Sequence, residues 1–174
     1  PDLLQVPRIP QGGAAPMRPL LYICGPYTGR DSQETNDNIS VAREYAITAW
    51  RRGWAVFTPH LNTAHFEQYL HDIAHSEWVD ADLEILIRLD PDAMLLLPGW
   101  SSRSVGSARE FTLAQELGIE TLGPYPTPDE VPAAPEQCPA YQQIRNETGK
   151  RDTCGSTERR CPPGKTCPIR RRCR

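Results

Sequence analysis

Apolar positions along this chain fall into blocks of two different periods. Residues 20–24 (LLYIC) form a continuous apolar run closed by Gly25-Pro26, the pattern of a central parallel strand. Ala42, Ala46, Ala49 and Trp50 then recur at helical spacing, with Asn38 placed to cap the helix. Gly53 ends it behind Arg51 and Arg52, which complement its C-terminal dipole. Residues 54–60 (WAVFTPH) read as a second strand stopped by Pro59. A helix follows from about Ser76 to Leu89, and then the strand 93–98 (AMLLLP). Residues 102–118 (SRSVGSAREFTLAQELG) read as a small-residue turn running into a helix, and 119–124 (IETLGP) as a short last strand.

This alternation predicts an α/β domain, a Rossmann-like or flavodoxin-like doubly wound parallel sheet of about five strands. Ligands of such sheets bind beyond the carboxyl ends of the strands. Here those ends are Gly25-Pro26-Tyr27, Thr58-Pro59-His60 and Pro98-Gly99-Trp100. The domain is expected over 17–124, behind a Pro-, Gly- and Gln-rich leader (1–16) without a period. Residues 125–137 read as a Pro-rich linker, semi-extended and not expected to pack. Residues 138–174 read as a basic, Cys-rich and disordered tail.

The two parts differ in charge. Residues 1–137 hold 9 Lys+Arg against 19 Asp+Glu, and residues 138–174 hold 10 against 3. The acidic body argues against nucleic-acid binding by the domain and leaves only the tail suited to phosphate backbones. Five of the six cysteines lie in the tail, so the body, with Cys24 alone, reads as cytoplasmic. No run approaches the length of a membrane span, and no basic segment leads into an apolar one as in a secretory signal. His71 and His75 stand four apart, yet no HExxH and no third ligand accompany them, so neither a metal nor a cofactor is expected.

Two acids sit on stripes that should face the core. Around the helix axis, Leu113, Ala114 and Leu117 lie within about 60° of Glu110. On the preceding helix Trp78, Ile85, Leu86 and Leu89 define the buried face, and Asp82 lies among them. Asp80, about 160° away, faces solvent. An unpaired buried carboxylate costs several kcal/mol, so a salt bridge to Arg88 or Arg109 is one explanation and chemistry is the other. Paired carboxylates suit glycosidic-bond cleavage, one as nucleophile and one handling protons. A nearby helix N-terminus is expected to keep Glu110 ionised. Ser102, Ser104, Gly106 and Ser107 offer N–H groups and hydroxyls to a phosphate or sugar, with Arg103 and Arg109 close in sequence. Trp100, at the end of its strand, is placed either to stack on a base or to sit partly buried in the core.

These residues carry a resemblance. LYICGPYTGR, VFTPH, Asp82-Leu83, DAMLLLPGW and SVGSAREFTLAQELG follow one another as in the nucleoside 2-deoxyribosyltransferase-like superfamily, and most resemble its small phage-associated branch. The resemblance spans roughly residues 17–124. It implies cleavage of the N-glycosidic bond of a (deoxy)nucleoside or nucleoside 5′-monophosphate, with Glu110 as nucleophile and Asp82 assisting near the base or sugar. It further implies that Gly25, Tyr27 and Arg30 line the base and sugar site, that His60 lies by the pocket, and that the protein is a homo-oligomer. The turn before the glutamate reads Ser104-Val105-Gly106-Ser107, where the transferases often carry acid–Ser–Gly, so transfer and hydrolysis both stay open. A non-catalytic nucleotide-binding module is the alternative from another class.

Overall fold

The computed structural model describes residues 18–135. Four strands form one parallel sheet: β1 (Leu20–Cys24), β2 (Ala55–Phe57), β3 (Ala93–Leu96) and β4 (Glu120–Leu122), in the order β2-β1-β3-β4. The helices between them are α1 (Ser32–Arg51), α2 (Pro59–Asn62), α3 (His75–Leu89), α4 (Trp100–Arg103) and α5 (Val105–Glu116). The α/β class and the parallel sheet are as the pattern predicts, but the described strands number four rather than about five. The long segment between β2 and α3 carries a short 3₁₀ turn, Phe66–Gln68, in polar sequence that supplies no apolar run for another strand.

Alternation along β1 divides the core. Leu21 and Ile23 point to one face, with Ala42, Tyr45 and Ala49 of α1. Tyr22 and Cys24 point to the other, with Leu86 of α3 and Ala114 of α5. Register ties Tyr22 to Phe57 on one side and to Met94 on the other, so β1 is central and buried on both faces. The order of connections reverses at β1, since β2 lies on one side of it and β3 on the other. That reversal opens a crevice at the carboxyl edge of the sheet.

Two expectations for α1 are corrected. The helix begins six residues before Asn38, because Asp31 caps it by accepting the Glu34 N–H at 2.8 Å. Asn38 lies inside the helix, buried, and its Nδ2 donates to the Tyr27 carbonyl at 3.1 Å. Trp50 is 56% exposed, because the buried stripe runs through Asn38, Ala42, Tyr45 and Ala49, and one further residue turns 100° away. The Arg18 guanidinium lies over its ring, 4.8 Å from the centroid.

The segment after β4 also departs from expectation, for its described part packs. Val131 is fully buried in the α1-side core. Tyr45 donates its hydroxyl to the Tyr125 carbonyl at 2.6 Å, and Trp54 Nε1 donates to the Pro132 carbonyl at 2.9 Å. The Arg52 guanidinium donates to the carbonyls of Asp129 and Val131, and the Ala134 N–H returns to the Arg52 carbonyl. Backbone groups supply most of these bonds, so a sequence with few apolar residues, Tyr125, Val131 and Ala134 among them, still docks. Expectations for residues 1–16 and 138–174 lie outside the described residues.

Candidate active site

A cleft of about 630 Å³ opens where the loops after β1, β2 and β3 meet α3 and α5. Each wall is held by its own local chemistry. The loop after β1 folds back on α1 through the Gly29 N–H, which donates to Thr35 Oγ1 at 3.0 Å, and through Asn38. Gly25 is needed there, since a Cβ would stand 2.7 Å from the Leu97 side chain. Ser104 caps α5 by accepting the Ser107 N–H at 3.1 Å. A Cβ on Gly106 would meet Val79 at 3.3 Å, so glycine lets α5 close on α3.

This closure brings Glu110 and Asp82 to the same cleft. Glu110 is 5% exposed, and its Oε1 accepts the Tyr22 hydroxyl at 2.7 Å. Burial pushes its carboxyl up to about 7, against the opposing hydrogen bonds from Tyr22 and Cys24. The nearby charge of Asp82 adds to the rise. Asp82 is half-buried, and desolvation pushes its carboxyl up to about 6. The expectation that a helix N-terminus keeps Glu110 ionised is therefore corrected. Glu110 is the sixth residue of α5, more than a turn from the end, where the dipole has fallen off and desolvation dominates.

The salt-bridge explanation for the two acids fails among the described residues. Arg88 pairs with Glu84 at 3.0 Å, and Arg109 with Asp80 at 2.8 Å. Both pairs lie on the exposed faces of the helices, and Arg109 accordingly leaves the group expected to meet a phosphate. Asp80 faces solvent, as its helical phase predicts.

Of the residues singled out in the sequence, Gly25, Tyr27, His60, Asp82, Ser104, Gly106, Ser107 and Glu110 line the cleft. Arg30 and Trp100 do not. Arg30 is exposed and pairs with Glu34 at 2.9 Å. Trp100 opens α4 and packs on Phe111, with ring centroids 4.5 Å apart, outside the lining of the cleft. Tyr27 braces the loop opposite: its hydroxyl donates to the Glu67 carboxylate at 3.0 Å and accepts the His65 N–H at 2.8 Å. His60 is buried, and its Nε2 lies 2.9 Å from the Pro26 carbonyl, while burial holds its ring toward the neutral form. The Ser107 hydroxyl is buried without a hydrogen-bond partner among the described residues.

Two participants escaped the pattern. Trp78 reads as core, yet it lines the cleft one helical turn before Asp82, and that spacing is the signal that could have found it. Tyr22 sits in an apolar strand, where a lone hydroxyl near the carboxyl edge was the only clue. Chemically, the cleft presents two desolvated carboxyls without a cation partner and an aromatic wall, with Arg103 at its lining. No helix among the described residues is long and apolar enough to cross a membrane. The model of a family described as "Domain of unknown function (DUF7768)" matches residues 19–122, which hold all four strands and every residue lining the cleft. A search of curated proteins finds no match.

Proposed function

This chain belongs to the DUF7768 family, a domain of unknown function, and we propose that it cleaves the N-glycosidic bond of a (deoxy)nucleoside or nucleoside 5′-monophosphate. The observation that carries this reading is the convergence of Glu110 and Asp82, from adjacent helices, on one cleft where neither has a cation partner among the described residues. Tyr22 occupies Oε1 of Glu110 and leaves the other carboxylate oxygen to attack C1′. The C1′–N bond breaks, its electron pair goes to the base nitrogen, and protonated Asp82 supplies the proton that neutralises the leaving base. The glycosyl ester on Glu110 is then opened at C1′ by water or by a second base, whose proton passes to the Asp82 carboxylate; this frees the Glu110 carboxylate and restores protonated Asp82. Trp78 offers the aromatic face that the base requires.

A second reading, a nucleotide-binding module without catalysis, is favoured by one observation. A carboxyl pushed up to about 7 is half protonated at neutral pH, and in that state it binds but does not attack. The test is incubation with the four deoxynucleosides and their 5′-monophosphates, followed by chromatography for free base. Release by the wild type and its loss in Glu110→Ala support the enzyme. Measurable binding without any release supports the module. Addition of a second free base separates transfer from hydrolysis.

A further inference from the structure

Glu34 of α1 stands beside the cleft and touches one residue of its lining, Arg103. Its Oε2 accepts the Arg30 backbone N–H at 2.7 Å and the Arg30 Nε–H at 2.9 Å, which fixes the carboxylate on the loop after β1. Its Oε1 reaches Arg103, 69 residues away on the connection after β3, at 3.4 Å. Two guanidiniums thus share one carboxylate, which leaves that trio with an excess of positive charge beside a cleft that also carries Glu67, Asp82 and Glu110. Arg103 is the arginine among the lining residues, and Glu34 is the hydrogen-bond partner of its guanidinium, through Nη1 alone. Among the described residues the remaining N–H donors of that fork have no partner, and they can take an anion. The side chain is also aimed: a Cβ on Gly99 would stand 2.6 Å from Arg103 Nε, so the guanidinium lies across the glycine backbone. Beyond it, Val105 and Gly106 begin α5, and their first-turn N–H groups have no partner within the helix.

We propose that Arg103, poised by Glu34, reads an anionic group at the end of the ligand, which makes the substrate of this cleft a nucleoside 5′-monophosphate and not the free nucleoside. The assignment rests on the N-glycosidase reading for the sugar and base, and on the Glu34–Arg103 geometry for the anion. Glu34 is a positioning residue. It holds the guanidinium at the mouth through a long, weak contact that a phosphate, with more acceptor oxygens and more charge, displaces.

The experiment measures, by titration calorimetry, how much more tightly each deoxynucleoside 5′-monophosphate binds than its nucleoside. Wild type favours the monophosphate; Arg103→Ala lowers that preference by about tenfold or more, and Arg103→Lys restores part of it, since a point charge replaces the fork. Glu34→Gln keeps an acceptor for the Arg30 N–H but removes the competing charge, and it raises the preference several-fold. A Glu34 with a merely structural role would weaken nucleoside and monophosphate alike and leave the preference where it was. In turnover, the effect of Arg103→Ala falls on KM for the monophosphate and not on kcat. A preference unchanged in Arg103→Ala, or absent from the wild type, overturns the proposal. Deoxyribose 5-phosphate serves as a probe that needs no base and no cleavage. Should no substrate release a base, loss of its binding in Arg103→Ala still supports the anion site, and failure of wild type to bind it overturns that site.

Discussion

The Tyr22 hydroxyl and the Glu110 carboxylate, 88 residues apart in the chain, meet at 2.7 Å inside the domain. One belongs to the central strand and the other to the helix that covers it, so the bond ties the sheet to the reactive group. Removal of the hydroxyl takes away the strongest donor to a carboxyl that burial already destabilises as an anion. Tyr22→Phe is expected to lose about 1–3 kcal/mol of stability in urea unfolding at neutral pH. It also raises the Glu110 carboxyl further, and a rise of about one unit lowers base release at pH 7 by about fivefold. A rate at pH 7 equal to wild type would show that Tyr22 does not set the ionisation of Glu110.

Stability carries its own pH signature. The Glu110 carboxyl is raised in the folded chain, so the folded state binds the proton more tightly than the unfolded one. Its contribution is full below the unfolded value of 4.5 and is lost as pH rises to about 7. The size of the loss is on the order of 3 kcal/mol. Asp82 adds a smaller loss of the same sign between 3.8 and about 6, screened by its partial exposure. Urea midpoints taken across this range should fall with rising pH, and Glu110→Gln should flatten most of the slope. A slope equally steep in Glu110→Gln would locate the titration elsewhere.

Activity should follow a bell. Glu110 must lose its proton, which occurs near 7, and Asp82 must keep its own, which it does below about 6. The reactive form is then the minor of the two singly protonated states, and the two limbs belong to the pair jointly. Asp82→Asn removes the descending limb and lowers the maximum by about a hundredfold, the usual scale of a lost proton donor. A descending limb that survives in Asp82→Asn assigns the proton to another group.

The segment beyond β4 is expected to matter for folding. Val131→Ala opens a cavity in the α1-side core and costs about 1–3 kcal/mol. Truncation after residue 126 removes that anchor together with the bonds to Arg52 and Trp54, and costs more. Urea denaturation of both variants checks this, and a truncated chain as stable as the full one would show the docking to be incidental.

Features with a short period were legible in the sequence. The four strands, the α3 and α5 stripes and the inward phase of Asp82 and Glu110 all follow from spacings of two or 3.6 residues. The first two turns of α1 were not, because Ser32–Asp37 is polar throughout and lies above the loop instead of on the core. Nor does spacing show which way Trp100 turns. Trp78 shares a stripe with Asp82 and reaches the cleft, whereas the four-residue α4 turns Trp100 back onto Phe111. The Glu34–Arg103 and Tyr22–Glu110 contacts join residues far apart in the chain, and no local pattern announces such pairs. The docking of residues 128–134 was hidden for another reason. It uses backbone carbonyls, which every sequence has.

Arg18 rests on Trp50, and Ala134 is bonded to Arg52. Both limits of the described domain therefore stand at the C-terminal end of α1, at the amino edge of the sheet and away from the cleft. A domain circularly permuted by a short bridge from residue 135 to residue 18 is thus expected to fold with its mouth left open to ligand.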